Sequence, residues 1–137
     1  MLTNEQLPQD IEPSLRVVTR PNDANQKGDI FGGWLMSQID IAGSIIAVAK
    51  ARGPVVTVAV KSLQFIKPLY VHDVVSFYPT IAKIGKTSIT INIEVYAQRI
   101  TKNELENFQL TCLKVSDATL VYVAVSEPGK KREVPLA

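Results

Sequence analysis

At 137 residues the chain is long enough for one good hydrophobic core and too short for two ordinary domains. With 46% apolar and 20% charged residues, net charge +2 and a pI near 8.7, it is too balanced to argue for a nucleic-acid partner, and any anionic ligand must be met by a local patch. The single cysteine, Cys112, excludes an internal disulfide; its strand-like setting predicts a buried inert thiol, and the cytoplasm is the expected compartment.

Residues 1–13 carry acids and no apolar stretch preceded by basic residues, so they do not read as a secretory signal and are expected as a flexible arm. Leu15 to Thr19 is a short strand candidate, followed by the Asn- and Asp-rich loop Pro21 to Asp29. A helix is predicted from Gly32 to near Gly53. The apolar run Ile30 to Ala49 contains Gly32, Gly33, Ser37, Gln38, Asp40 and Gly43, which excludes an ordinary membrane span. Three β-rich runs follow, Val55 to Ile66, Asp73 to Ile84 and Thr87 to Ile100, and they are expected to form a meander turned at Lys67-Pro68 and Ile84-Gly85-Lys86. A final long strand covers Phe108 to Val125, and Glu127 to Ala137 is expected as a mobile tail. The expected organisation is therefore one domain, 14–126, between an arm and a tail. One long helix and four long antiparallel strands imply an α+β fold in which a curved sheet wraps a long central helix. Such a sheet retains an edge, so a homo-oligomer is expected.

The predicted helix is apolar or small on nearly every side and reads as buried all round. Its one formal charge before Lys50 is Asp40. An ionised carboxylate in such surroundings is costly to desolvate, so the site must offer hydrogen bonds, water or a raised pKa, and Asp40 is a candidate general base or nucleophile. Gly32 and Gly33 open the helix, where free backbone N–H groups and the positive end of the dipole can polarise a carbonyl. Gly33 and Asp40 are seven residues apart, about 10 Å along the axis at the helical rise per residue. One reacting carbon cannot touch both in one chain, which predicts a composite site shared by two subunits.

The string Pro21-Asn22-Asp23-Ala24-Asn25-Gln26-Lys27-Gly28-Asp29-Ile30-Phe31-Gly32-Gly33-Trp34-Leu35-Met36-Ser37-Gln38-Ile39-Asp40 resembles the hotdog-fold acyl-CoA thioester hydrolases of the YciA type. The resemblance continues through Phe65-Ile66-Lys67-Pro68, Val71-His72-Asp73-Val74-Val75, Gly85-Lys86-Thr87-Ser88 and Tyr122-Val123-Ala124-Val125, covering roughly residues 14 to 135. It implies hydrolysis of acyl-CoA to a free acid and CoA, with no cofactor and no metal. It also implies a hotdog fold, with dimers as the minimal active unit, assembled as trimers of dimers into hexamers, with active sites between protomers. The family's catalytic carboxylate falls on Asp40, either attacking the thioester or deprotonating a water. Asn25 and Asp29 lie where related proteins place polar catalytic or orienting groups, and Ser44, one turn after Asp40, is a candidate to orient its carboxylate. Val58-Ala59-Val60-Lys61 should line the pantetheine path, and Gly85-Lys86-Thr87-Ser88 should meet the nucleotide.

The cluster Lys130-Lys131-Arg132 is a further source of cations for CoA, and Ile30, Phe31, Trp34 and Met36 are candidates to shape the acyl pocket. His72 is the only histidine and reads as a surface turn residue. Hotdog hydratases pair a histidine with an acid, and none lies near Asp40 in the helix or the loop before it. No His/Cys cluster has metal-ligand spacing. The rival reading from another class is an acyl-CoA-binding sensor or oligomer without turnover.

Overall fold

The computed structural model describes residues 5–136; residues 1–4 of the expected arm and residue 137 of the expected tail lie outside the described residues. The elements are β1 (Leu15–Val18), a 3-10 turn (Pro21–Asp23), α1 (Gly32–Ala51), β2 (Val55–Phe65), β3 (Val74–Ile84), β4 (Ser88–Lys102), β5 (Phe108–Glu127) and β6 (Lys130–Lys131). All strand pairs are antiparallel, in the order β1-β3-β4-β5-β2, with β6 added to β5. This sheet around one helix is the hotdog architecture.

Strand bounds and the helix agree closely with the sequence, but the meander of the first three β-rich runs is corrected. Only β3, β4 and β5 form it; β2 crosses to the far side of β5, where Val55 to Phe65 pairs with Ala124 to Ser116. Alternation of apolar residues says which face a side chain takes and nothing about which strand lies beside it.

The inner face of β4 sets Ile89, Ile91, Ile93, Val95 and Ala97 in the core. They meet Leu113, Val115, Leu120 and Tyr122 of β5 and the helix stripe Leu35, Ile39, Ala42, Ala47 and Ala51. The spacing of that stripe places it on one face of α1. Here the expectation of a helix buried all round is corrected: Met36, Ile41, Ile45 and Val48 on the other side are 43–47% exposed. By length and hydropathy α1 passes as a membrane span, yet its buried stripe packs on the sheet. Gly43 is required because a Cβ there would stand 2.3 Å from the Tyr122 hydroxyl.

At the chain ends, Glu5 N–H donates to Cys112 O at 2.7 Å, so the described part of the arm runs along β5. Cys112 is buried, and burial followed by the nearby Glu5 charge pushes its thiol up, as suits an inert cysteine. The expected tail returns to the sheet: β6 pairs with β5, Val134 N–H donates to Lys86 O at 2.9 Å, and Val134 is buried.

Candidate active site

Helix α1 starts without a side-chain cap at Phe31. The Phe31 N–H donates to Asp23 O, and those of Trp34 and Leu35 donate to Phe31 O, so the N–H groups of Gly32 and Gly33 have no acceptor among the described residues. An uncapped helix start is a ready site for developing negative charge. Gly33 borders open space, whereas the Phe65 ring lies over Gly32 and would meet a Cβ there at 3.3 Å. Gly32 shares a cavity of about 340 Å³ with Asn25, Asp29, Ile30, Phe31 and Phe65. The Asn25 carboxamide oxygen accepts from Lys27 N–H at 2.9 Å and Asp29 N–H at 3.2 Å. That turn occupies its oxygen and leaves its NH₂ as a donor at the cavity. Asp29 contributes its backbone to a bridge with Tyr70.

Asp40 lies further along the same helix, half-buried, in a second cavity of about 250 Å³ with Met36, Ser37, Thr57, Val60, Leu63 and Leu120. The compensation its charge requires is supplied by Thr57, whose hydroxyl donates to Asp40 Oδ1 at 2.6 Å. Oδ2 remains for a proton. The Tyr122 hydroxyl donates to the Asp40 main-chain oxygen at 2.7 Å. Burial, with the Asp40 charge second, holds the Tyr122 phenol well above its ordinary value, so it is a permanent donor. Ser44 is corrected: its hydroxyl donates to Ile41 O at 2.7 Å and orients no carboxylate, the usual competition of a helical serine for its own backbone. Thr57 and Tyr122 were given no site role from the sequence, although Tyr122 falls in a stretch that carries the family resemblance. Only Gly43, unfavourable in a helix interior, carried a signal of close approach there. Replacing Thr57 by valine keeps the shape and removes the donor, and is expected to lower kcat about tenfold with KM little changed. Steady-state kinetics at matched folded fraction measure this.

The third group is cationic. Gly85, Lys86 and Lys50 border a cavity of about 500 Å³ closed by the returning chain at Val134 and Pro135. Gly85 N–H donates to Ser88 O at 2.8 Å, fixing the β3–β4 turn, and Thr87 O accepts from Ala124 N–H. Lys86 meets Glu133 at 3.5 Å with both side chains exposed, a contact too weak to hold the ammonium. The cluster Lys130-Lys131-Arg132 is only partly available: Lys130 pairs with Glu127 and Arg132 donates to Val125 O. In β2, two register shifts skip Val58 and Lys61 in the pairing with β5, and Val60 borders the Asp40 cavity. His72 is exposed, in a left-handed turn with its N–H on Thr19 O, and borders none of these cavities. Among the described residues no group of three or more His, Cys, Asp or Glu side chains is placed to hold a metal.

One protomer thus joins Asn25, Asp29 and Gly32 in one cavity and Asp40 with Thr57 in another, and does not bring the two groups together. The sequence profile of the Thioesterase superfamily matches residues 27–103. Over 136 residues the chain is 44% identical to the acyl-CoA thioester hydrolase YciA of Salmonella typhimurium, across 99% of this chain and 98% of that one. Its structure is similar to the hexameric thioesterase of Yersinia pestis, with TM-score 0.81 and 45% identity over 96% of this chain and 100% of that one. It is also similar to the aspartate-to-alanine mutant of a hexameric broad-specificity acyl-coenzyme A thioesterase, with TM-score 0.81 and 42% identity over 90% and 86% of the two chains.

Proposed function

Because this chain belongs to the Thioesterase superfamily and is an acyl-CoA thioester hydrolase, we propose that it cleaves the thioester at a site shared by two protomers. The single observation carrying this reading is the separation of the uncapped helix start from Asp40 within one chain. In the pairing we propose, β2 edges join and the exposed stripes of α1 face one another. That covers Val56, Val58 and Val60 on an edge strand and Met36, Ile41, Ile45 and Val48 on the helix, apolar surfaces that a lone protomer leaves to water. The dimer is then the minimal active unit. A trimer of dimers is the assembly we assign to it, supported by its likeness to hexameric thioesterases.

In this reading Gly32 and Gly33 N–H groups of one protomer, with the Asn25 NH₂ beside them, receive the thioester oxygen as it becomes an oxyanion. Asp40 of the other protomer, steadied by Thr57, takes a proton from water as the hydroxide adds to the carbonyl carbon. The tetrahedral intermediate then collapses, the carbon–sulfur bond breaks, and the CoA thiolate recovers the proton held on Asp40. The products are the free acid and CoA, so no redox step or added cofactor is required. The half-open setting of Asp40, with one oxygen held by Thr57, favours water activation over direct attack. Asp29 serves the loop through its backbone.

Pantetheine is assigned to the bulged stretch Val58-Ala59-Val60-Lys61, and the phosphates to Gly85-Lys86-Thr87-Ser88 with Lys50. Lys86→Ala is expected to raise KM severalfold with little change in kcat, because a phosphate contact remote from the carbonyl contributes uniform binding. The cytoplasm is the compartment we assign, supported by a lone buried cysteine. The direct test is thiol release from a panel of acyl-CoAs of increasing chain length. Turnover is expected, whereas CoA binding without thiol release would convert the reading to a sensor.

A further inference from the structure

Among the described residues, the most buried ion pair lies outside the three cavities. Asp73, 2% exposed, meets Arg99 at 2.8 Å, and the Arg99 side chain is 13% exposed. Replacing such a pair by apolar groups is often neutral or stabilising, so stability alone is a weak account of it. What an apolar pair lacks is the ability to hold backbone groups, and here two are held. Arg99 Nη2 also donates to Pro68 O at 3.0 Å, and Asp73 Oδ2 also accepts from Tyr70 N–H at 2.9 Å. The guanidinium stacks 4.7 Å from the Tyr70 ring centre. Thr19 closes the cluster, its hydroxyl donating to Tyr70 O at 2.6 Å.

The clamped segment continues into the candidate site. Leu69 O accepts from Ile30 N–H at 2.9 Å, and Tyr70 bridges Asp29. Asp29 O accepts from Asn25 N–H at 2.7 Å while Asp29 N–H donates to the Asn25 side chain. Pro68 and Leu69 themselves border the cavity that holds Asn25 and Gly32. The segment has only irregular structure between β2 and β3. Ile66 and Lys67 N–H on Val115 O and His72 N–H on Thr19 O hold its ends, and the buried Leu69 seats it on the core, while the clamp fixes Pro68 and Tyr70 between them.

We propose that Asp73 and Arg99 are positioning residues for thioester hydrolysis: by clamping Pro68 and Tyr70 they set the loop on which Asn25 meets the substrate carbonyl. This rests on the site assignment above. Arg99→Lys keeps the charge and a donor but loses the planar guanidinium that stacks on Tyr70 and fixes the one nitrogen, Nη2, that serves both Asp73 and Pro68. A shift of the loop by a fraction of an ångström costs orientation of the carbonyl, which is read in kcat. Arg99→Lys is expected to lower kcat about tenfold with KM within about twofold of wild type, in protein held well below its unfolding midpoint. Asp73→Asn, which keeps the shape and an acceptor for Tyr70, is expected to act in the same direction if Arg99→Lys folds poorly.

The decisive measurement is the double-mutant cycle with Asn25→Ala. Because both changes act through Asn25, Arg99→Lys should have little further effect in the Asn25→Ala background. Wild-type kcat in Asn25→Ala alone would overturn the site assignment and this inference with it. An impaired Asn25→Ala alongside wild-type kcat in Arg99→Lys and Asp73→Asn, or fully multiplicative losses, would overturn the positioning role alone.

Discussion

Asp40→Asn is expected to fold, to bind CoA and to lose at least about a hundredfold in kcat, the scale of a general base. The amide is nearly isosteric and can still accept from Thr57 through its oxygen, so the hydrogen bond that compensates Asp40 has a counterpart in the variant. What disappears is the group that takes the proton. Thermal unfolding and CoA binding measured beside turnover separate chemistry from collapse, and near-normal turnover would remove Asp40 from the mechanism. Single-turnover hydrolysis by the wild-type enzyme in ¹⁸O water adds the mechanistic distinction. Water activation puts the label only in the released acid, whereas attack by Asp40 lets it enter the protein carboxylate.

The second large effect is recovery of activity from two inactive parents. Asp40→Asn protomers lack the base, and Gly33→Pro protomers lack a backbone donor at the helix start. Proline is tolerated in the first helical turn, and a Cβ at Gly33 has nothing within 4 Å to strike, so the lesion is confined to the donor. If each site takes its amides from one protomer and its carboxylate from the other, a mixed dimer contains one site with both groups intact and one with neither. Thioesterase activity of the purified heterodimer should then approach about half that of wild type, one of two sites in a two-fold dimer. Persistent inactivity in a folded heterodimer would place the donors and the base in one chain and sink the shared site.

Much of this protein was legible before any tertiary information, because the signals are local. Alternation in Ser88-Ile89-Thr90-Ile91-Asn92-Ile93-Glu94-Val95 declares β4 and its buried face. The pair Gly32-Gly33 before an apolar run marks the helix start, and Asp40 stands out because its neighbours carry no charge. The spacing of the glycines from Asp40 argued for separate groups, and the two cavities of one protomer keep them apart. The resemblance to YciA-type hydrolases added fold and chemistry to what those residues suggested.

Other features were decided only when distant segments met. Strand order needed β2 to cross to β5, a choice between neighbours that a period of two does not encode. Thr57 reads as one hydroxyl among valines until β2 lies against α1 and its donor reaches Asp40. Tyr122 reads as a core aromatic until Gly43 admits its hydroxyl to the helix backbone. Ser44 could be paired with Asp40 on spacing alone, but its hydroxyl bonds its own helix, because Ile41 O is held one turn away at no extra ordering cost. The returning chain end and the open stripe on α1 also depend on what packs opposite them. Sequence determined the elements and the reacting groups through local pattern and charge; tertiary structure decided their partners, because a hydrogen bond between residues 17 or 82 positions apart leaves no trace in either neighbourhood alone.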